Sequence, residues 1–423
     1  MHASNDSSET RRGWLRPYRS PRRRRLHEEA MAEESGGPAP EVPDHPLVPA
    51  GDPRMIDRPD DLQRLIEALQ SVPRFGYDSE FIGEHTYYPK LCLIQISTPE
   101  SITLIDALAD LDLNPFWQLI TNGAVEKIVH CGIQDLEPAY RHTGKPPAKV
   151  YDTQIAAAFI GAGYPRGLTS MIDQFLGIQL GREMKFTQWD TRPLSSRQLV
   201  YAADDVRYLH LLRQAVADQL ASSGQPGWAA EQTASLCNAD AYRFDAQNEK
   251  LMRRAGGGMG PLERQVLEDL IAWRDATARK EDVPPRSLVR DGVIMDMCRT
   301  DLRTEDDLRT VRGLPRTVIR HCAEELLRVV DAAQRRPGPP VERLGPIPPE
   351  HRQAFNKMWH QVRSRCEDQG VDPAVVANKQ HVMTYFKNML HGKSNEESQM
   401  VRGWRRELLG SLLDGWYDSP CHE

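Results

Sequence analysis

The sequence predicts an α/β domain built on a mixed sheet, followed by two all-α domains. Three observations carry this. Three strand-forming runs lie close together between residues 75 and 108, joined by turn-like links. Strand and helix patterns then alternate. Beyond residue 195 apolar residues recur at helical spacing, and a Pro-rich stretch, "RRPGPPVERLGPIPP" (335–349), divides the tail in two.

Taken in order, residues 1–49 read as a disordered tail. The stretch 11–25 carries eight arginines and no acid, and 31–46 is acidic and rich in Pro and Gly. Asp6 and Glu9 fit a mitochondrial-type presequence poorly, and Met31 is an alternative start. The first domain is expected over 50–225. Its opening helix spans about 55–70, with Asp60 as N-cap and Leu62, Leu65, Ile66 and Leu69 on one face. Strands follow at "FGYDSEFI", "LCLIQIS" and "SITLIDAL", broken at Gly83, Pro89 and Pro99. Links this short predict an antiparallel meander. "FWQLITNG" reads as a helix stopped at Gly123, "EKIVHCG" as a strand, and "IQDLEPAYRHTG" and "VYDTQIAAAFIGAG" as helices. The stretch 195–220 reads as one long amphipathic helix capped by Ser195 or Ser196. A helical connector is expected over 226–258, a compact helical domain over 259–336, a linker over 337–348 and a second helical domain over 349–418. The two helical domains have similar lengths and patterns, as a diverged repeat would.

Composition narrows the function. The chain has 423 residues, 39% hydrophobic and 27% charged, and no apolar run of the roughly 18–20 residues that a membrane helix needs. Its seven cysteines include no CxxC pair, so reduced thiols in a cytoplasmic protein are expected. The net charge of −6 argues against a uniformly basic nucleic-acid coat. "GAGYPRG" (161–167) follows a helix and lacks GxGxxG spacing, which sets aside a dinucleotide fold.

The acids are the informative feature. In "YDSEF", Asp78 and Glu80 are two apart on a strand and therefore share a face. Like charges so placed repel, and burying them costs free energy unless a counterion is present. In "HCGIQDLE", Asp135 falls in the first turn of a helix that follows a strand end, a usual site position in open α/β sheets. In "YAADDVRYL", Tyr201 and Asp205 are four apart on one helix face, and Asp204 is turned about 100° away. Singly, these are a solvated strand edge, a helix cap and a surface pair. Converging, they suit hard divalent cations such as Mg²⁺ or Mn²⁺, with no His/Cys set for zinc. Two such ions can hold the attacking water and the leaving oxygen of a phosphodiester, and a nearby tyrosine hydroxyl can orient the water.

D-x-E, then H-x-x-x-x-D, then Y-x-x-x-D resembles the three motifs of the DEDD exonuclease superfamily, tyrosine subclass. "LCLIQIS", "VHCGIQDLE", "YDTQIAAAF" and "RPLSSRQLVYAADDVRYL" extend the resemblance to the ribonuclease D family over residues 50–418. The resemblance implies a ribonuclease-H-like 3′–5′ exonuclease domain and two HRDC-like helical domains. It implies metal ligation by Asp78, Glu80, Asp135 and Asp205: Asp78 bridging two ions, Glu80 and Asp205 on one, and Asp135 on the other. It implies that Tyr201 positions the nucleophilic water. The implied reaction is hydrolysis of RNA from its 3′ end to 5′-mononucleotides, with tRNA precursors as substrates; a monomer is expected because the tail helices show no dimer stripe. A DNA exonuclease and a non-catalytic RNA-binding scaffold are the competing readings.

Phe81, Trp189 and Arg192 are expected as substrate contacts, against alternatives of core packing and a structural ion pair. The family's S-D/N-W word is "TQW" here, which leaves the role of Gln188 open. Asp152 reads as a cap or supporting acid, and His130 as a group that orients the strand end. Residues 250–336 hold 18 Lys/Arg and 15 Asp/Glu, a net of +3. By the HRDC resemblance, Arg312, Arg316 and Arg320 near Gly313 are expected to meet phosphates with little sequence preference.

Overall fold

The computed structural model describes residues 42–180, 188–224, 226–242, 251, 259–336, 345 and 347–418. The tail over 1–41, Thr187 and most of the expected connector end and Pro-rich linker lie outside the described residues. The chain divides into two units.

The larger unit is built on a six-stranded sheet in the order β1-β4-β3-β2-β5-β6. Its elements run β1 (Arg54–Ile56), α1 (Pro59–Gln70), β2 (Arg74–Ile82), β3 (Lys90–Ser97), β4 (Ile102–Asp106), α2 (Asn114–Ile120), β5 (Glu126–Val129), α3 (Ile133–Thr143), β6 (Val150–Asp152) and α4 (Thr153–Ala157). Then come α5 (Leu168–Leu176), α6 (Ser196–Arg207), α7 (Leu209–Ser223) and α8 (Pro226–Ala234). The sheet is mixed: β3 and β4 pair antiparallel, whereas β1–β4, β2–β5 and β5–β6 pair parallel. The expected meander is present as the contiguous order β4-β3-β2.

Three local expectations are corrected. Arg54–Ile56 is an edge strand, and the helix starts at Pro59 after Arg58 rather than after an Asp60 cap. Val150–Asp152 is a strand where the sequence reads as helix. Both strands have three residues, too few to display a period-2 pattern. The helix expected over 195–220 breaks at Tyr208. The Val206 carbonyl accepts from Ser97 Oγ at 2.7 Å and from the Tyr208 amide, so the helical ladder is interrupted there. Ser195 does cap α6, through a capping box with Gln198.

The smaller unit comprises the loop end of β2 through the start of β3 (81–90) and a helical bundle. Its helices are α9 (Pro261–Lys280), α10 (Pro285–Leu288), α11 (Asp291–Arg299), α12 (Glu305–Thr310) and α13 (Arg316–Arg335). Tyr87 is inserted in its core. The Tyr87 hydroxyl donates to Asp275 at 2.7 Å, its amide donates to Asp282 at 3.0 Å, and Arg279 lies over its ring.

The remaining helices, α14 (Arg352–Asp368), α15 (Pro373–Val376), α16 (Lys379–Leu390) and α17 (Gly403–Asp418), belong to the larger unit. They share one core with α4, α5 and α7. Trp404 is 1% exposed and meets Phe159 edge-on at 4.8 Å. The Asp372 amide donates to the Ala158 carbonyl at 2.8 Å, and Trp228 Nε1 donates to Glu407 at 2.6 Å. Ala156, Ala157 and Ala158, all fully buried, allow this close approach. The described cysteines are free thiols. Among the described residues no helix is long and apolar enough to cross a membrane.

Candidate active site

Strand β2 uses its two faces for two jobs. Gly76, Asp78 and Glu80 share one face. A Cβ at Gly76 would lie 2.2 Å from Ser97 Oγ and 3.2 Å from Leu209, so a side chain there would push α7 off the sheet. With glycine in place, α6 settles over the strand, and its i, i+4 pair Tyr201 and Asp205 faces the acids. Carboxylate oxygens of Asp78, Glu80 and Asp205 all lie within 4.8 Å of one another. Tyr201 is hydrogen-bonded to Asp205. A cavity of about 130 Å³, room for several waters, is lined by Asp78, Tyr201, Asp205 and His130.

The hydroxyls of the other face hold Asp135, which comes from α3. Ser79 Oγ donates to its carboxylate at 2.6 Å, and the Tyr77 hydroxyl donates to its backbone carbonyl at 2.5 Å. Asp135 therefore stands outside the three-carboxylate cluster, although its charge reaches Asp78 and Glu80. Ser79 and Tyr77 are site residues that sequence reasoning missed. Their signal is the alternation itself, a hydroxyl between two acids.

Charge is stored here. Burial first, then Asp135, Asp205 and Glu80, raises the Asp78 carboxyl well above its usual range. Burial, then Asp205 and Asp135, pushes Glu80 up to about 9. Burial pushes Asp135 up to about 6 against the pull of its Ser79 hydrogen bond. Burial and the surrounding carboxylates raise the Tyr201 hydroxyl, so it is a neutral donor at any working pH. The donor set fits a hard cation: three oxygens converge at a distance one ion can span, and their mutual repulsion is what a divalent charge relieves.

A pH dependence follows for the metal-free protein. Below the ordinary Glu80 value near 4.5 the carboxyl is protonated in both folded and unfolded chains. Between 4.5 and about 9 the unfolded chain loses a proton that the fold retains, so stability falls as pH rises through that window. Thermal melts with chelator at pH 5, 7 and 9 should show this decline, and Mn²⁺ should raise the melting temperature most at the highest pH. A metal-induced rise that shrinks with pH would contradict the assignment.

Other expectations fare differently. His130 spends both ring nitrogens: Nε2 is 2.9 Å from the Arg166 carbonyl and Nδ1 is 2.9 Å from Thr153 Oγ1, so it orients the strand end. Asp204 pairs with Arg207 at 3.1 Å, turned from the cluster as the helix geometry requires. Arg192 is engaged as a clamp inside the protein, the structural ion pair weighed for it. It donates to both Asp106 oxygens, at 2.7 and 2.6 Å, and to the carbonyls of Cys92, Trp189 and Thr191, which leaves no set of donors for phosphate. Trp189 is 3% exposed and packs 6.1 Å from the Tyr201 ring, the packed indole weighed for it. Gln188 has an exposed side chain, and its carbonyl takes Gln198 Nε2. Phe81 is half-buried near the end of β2. Arg312, Arg316 and Arg320 are exposed on the helical bundle of the smaller unit.

Fold and cluster together define a metal-dependent 3′–5′ exonuclease. The 3′–5′ exonuclease family model matches residues 53–221, the HRDC domain model 263–330, and the ribonuclease D C-terminal HRDC model 349–413. The chain is 30% identical over 379 residues to ribonuclease D of Gluconacetobacter diazotrophicus, covering 86% of this chain and 93% of that one. It is 28% identical over 371 residues to ribonuclease D of Bartonella henselae, covering 85% and 89%. The crystal structure of Escherichia coli RNase D, an exoribonuclease involved in structured RNA processing, superposes with a TM-score of 0.76 at 28% identity, covering 88% of this chain and all of that one. The chain belongs to the ribonuclease D family and is a 3′–5′ exoribonuclease. It carries HRDC domains, acts on nucleic acid and uses divalent metal.

Proposed function

We propose that this exoribonuclease trims the 3′ ends of structured RNA precursors, tRNA precursors among them, with two Mg²⁺ or Mn²⁺ ions, as a cytoplasmic monomer. The observation that carries the metal reading is the convergence of Asp78, Glu80 and Asp205. Asp78, Glu80 and Asp205 would hold one ion, with Asp78 shared with a second that Asp135 completes. Ions held there would supply a lowered pKa for a water and charge to offset that of the phosphodiester.

The chain's own residues do the rest. Tyr201, kept protonated by the acids around it and hydrogen-bonded to Asp205, accepts from the attacking water and holds it in line. Trp189 packs against the Tyr201 ring, and Gln198 closes the capping box at the start of α6. Glu80 retains a proton near neutral pH unless a cation displaces it, so activity at limiting metal should rise with pH. Phe81, which follows the acids on the strand, is the remaining aromatic candidate for stacking on the 3′-terminal base.

For the RNA contacts outside the site, exposed Arg312, Arg316 and Arg320 support weak binding to phosphates. Replacing all three with Gln should reduce the slope of log affinity against log salt by about 3 and leave sequence preference unchanged. An unchanged slope would remove these arginines from the interface.

The substrate reading is tested with a tRNA precursor bearing a short 3′ extension, a matched unstructured RNA and a matched DNA, at equal 3′-end concentration. Trimming that stops at or near the mature tRNA end supports it. Equal digestion of DNA would favour a general exonuclease, and refusal of the precursor would overturn the tRNA assignment.

A further inference from the structure

We propose that Asp152 is the positioning residue for Asp135: its buried carboxylate clamps the turn that aims the α3 acid. The turn between β5 and α3 consists of His130, Cys131 and Gly132. Cys131 has φ 58, a left-handed conformation that few non-glycine residues adopt. Gly132 precedes α3, and no side chain caps that helix. A Cβ at Gly132 would lie 2.5 Å from Val129 Cβ, so the turn folds tightly back on its strand. A turn of this shape, without a cap of its own, has to be held from outside.

Asp152 supplies the hold. It is 1% exposed at the end of β6, paired in register with Val129 at the end of β5. Its Oδ1 accepts from the Cys131 amide at 3.2 Å, and its Oδ2 accepts from the Gly132 amide at 3.0 Å. Oδ1 also accepts from the Gln154 amide at 2.9 Å and the Ile155 amide at 3.2 Å, which caps α4. One carboxylate thus ties the start of α4 to the start of α3. Next to it, Thr153 Oγ1 contacts His130 Nδ1 and donates to the Val129 carbonyl, which fixes the residue before the turn. Asp135 lies three residues past Gly132, in the first turn of α3, so the direction of its carboxylate follows the direction in which this turn launches the helix. Ser79 and Tyr77 then receive it from the strand side.

The cap and the clamp can be separated chemically. Serine is a good N-cap with a short side chain and one acceptor. Asp152→Ser should keep α4 capped and lose the bonds to Cys131 and Gly132. Asp152→Asn keeps the size, but its amide group opposes one of the four donors. The inference rests on the assignment of Asp135 to the active site, so Asp135→Asn is measured alongside.

The measurements are kcat and KM on RNA, and backbone hydrogen exchange over residues 131–136 in the metal-free protein. Both Asp152 variants should lose about 10- to 100-fold in kcat, as partners of a metal ligand do, with KM within about two-fold. Exchange over 131–136 should quicken in both. Asp152→Ser should melt close to the parent. Full activity in Asp152→Ser, or unchanged exchange over 131–136, would overturn the clamp and leave Asp152 a helix cap. An active Asp135→Asn would instead sink the placement of Asp135 in the site, while the exchange measurement still decides the clamp.

Discussion

Asp205→Asn is expected to reduce turnover by about 10³-fold or more, beyond the about 10- to 100-fold loss typical of groups that only orient a ligand. The same substitution should stabilise the metal-free protein. Asp205 is the largest charge acting on Glu80, and it acts on Asp78 too. Removing it lets Glu80 ionise at lower pH in the folded state, so less stability is lost between 4.5 and 9. At pH 8 with chelator, Asp205→Asn should melt above the parent, and Mn²⁺ should raise its melting temperature less. A structural acid would behave the opposite way, losing stability and keeping activity. The pair of readouts therefore separates a site built to hold a cation from an acid that the fold needs.

The second large effect concerns the C-terminal helices. Trp404→Ala should cost about 3–5 kcal/mol, the range for emptying a buried tryptophan site. That is a large share of the about 5–15 kcal/mol that holds a domain together. The indole meets Phe159, and its Nε1 donates to Gln232 at 3.2 Å, so the loss falls on the turn after α4, on α8 and on α17 together. Urea unfolding followed by circular dichroism should show a single transition at a much lower midpoint. A two-step transition, in which the catalytic sheet keeps its parent midpoint, would show that α14–α17 fold independently. Removal of residues 347–423 should leave an aggregating protein, because Phe159 and Trp228 lose the Trp404 indole packed against them. Truncation of the whole tail therefore does not measure RNA contact. Substitution of the exposed arginines on α13 and before it does.

The acids were legible in the sequence because each motif is local. D-x-E shares a strand face by period 2, and Y-x-x-x-D shares a helix face by period 3.6. Their convergence was legible only through their order along the chain. What holds them in place was not. Ser79 reaches Asp135 across 56 residues of sequence, and Arg192 reaches Asp106 across 86. No local pattern announces such pairs, so the sequence leaves Arg192 open between a substrate contact and a structural ion pair, and its donors go to Asp106 and three carbonyls. The strands β1 and β6 escaped notice because three residues carry no period. The break at Tyr208 comes from a serine on β3 that competes for a helical carbonyl, a tertiary event invisible in an unbroken amphipathic pattern. Similar helical patterns in the two C-terminal stretches likewise concealed that one belongs to the unit of the sheet and the other does not.

The most direct test is digestion of a 5′-end-labelled RNA by the purified chain, with and without Mn²⁺, beside Asp78→Asn. The expected result is a ladder that shortens one nucleotide at a time from the 3′ end, release of 5′-mononucleotides, no reaction in chelator, and no reaction with Asp78→Asn whose circular dichroism matches the parent. Undiminished digestion by Asp78→Asn, or by the parent in chelator, would contradict the account of a cation held by Asp78, Glu80 and Asp205.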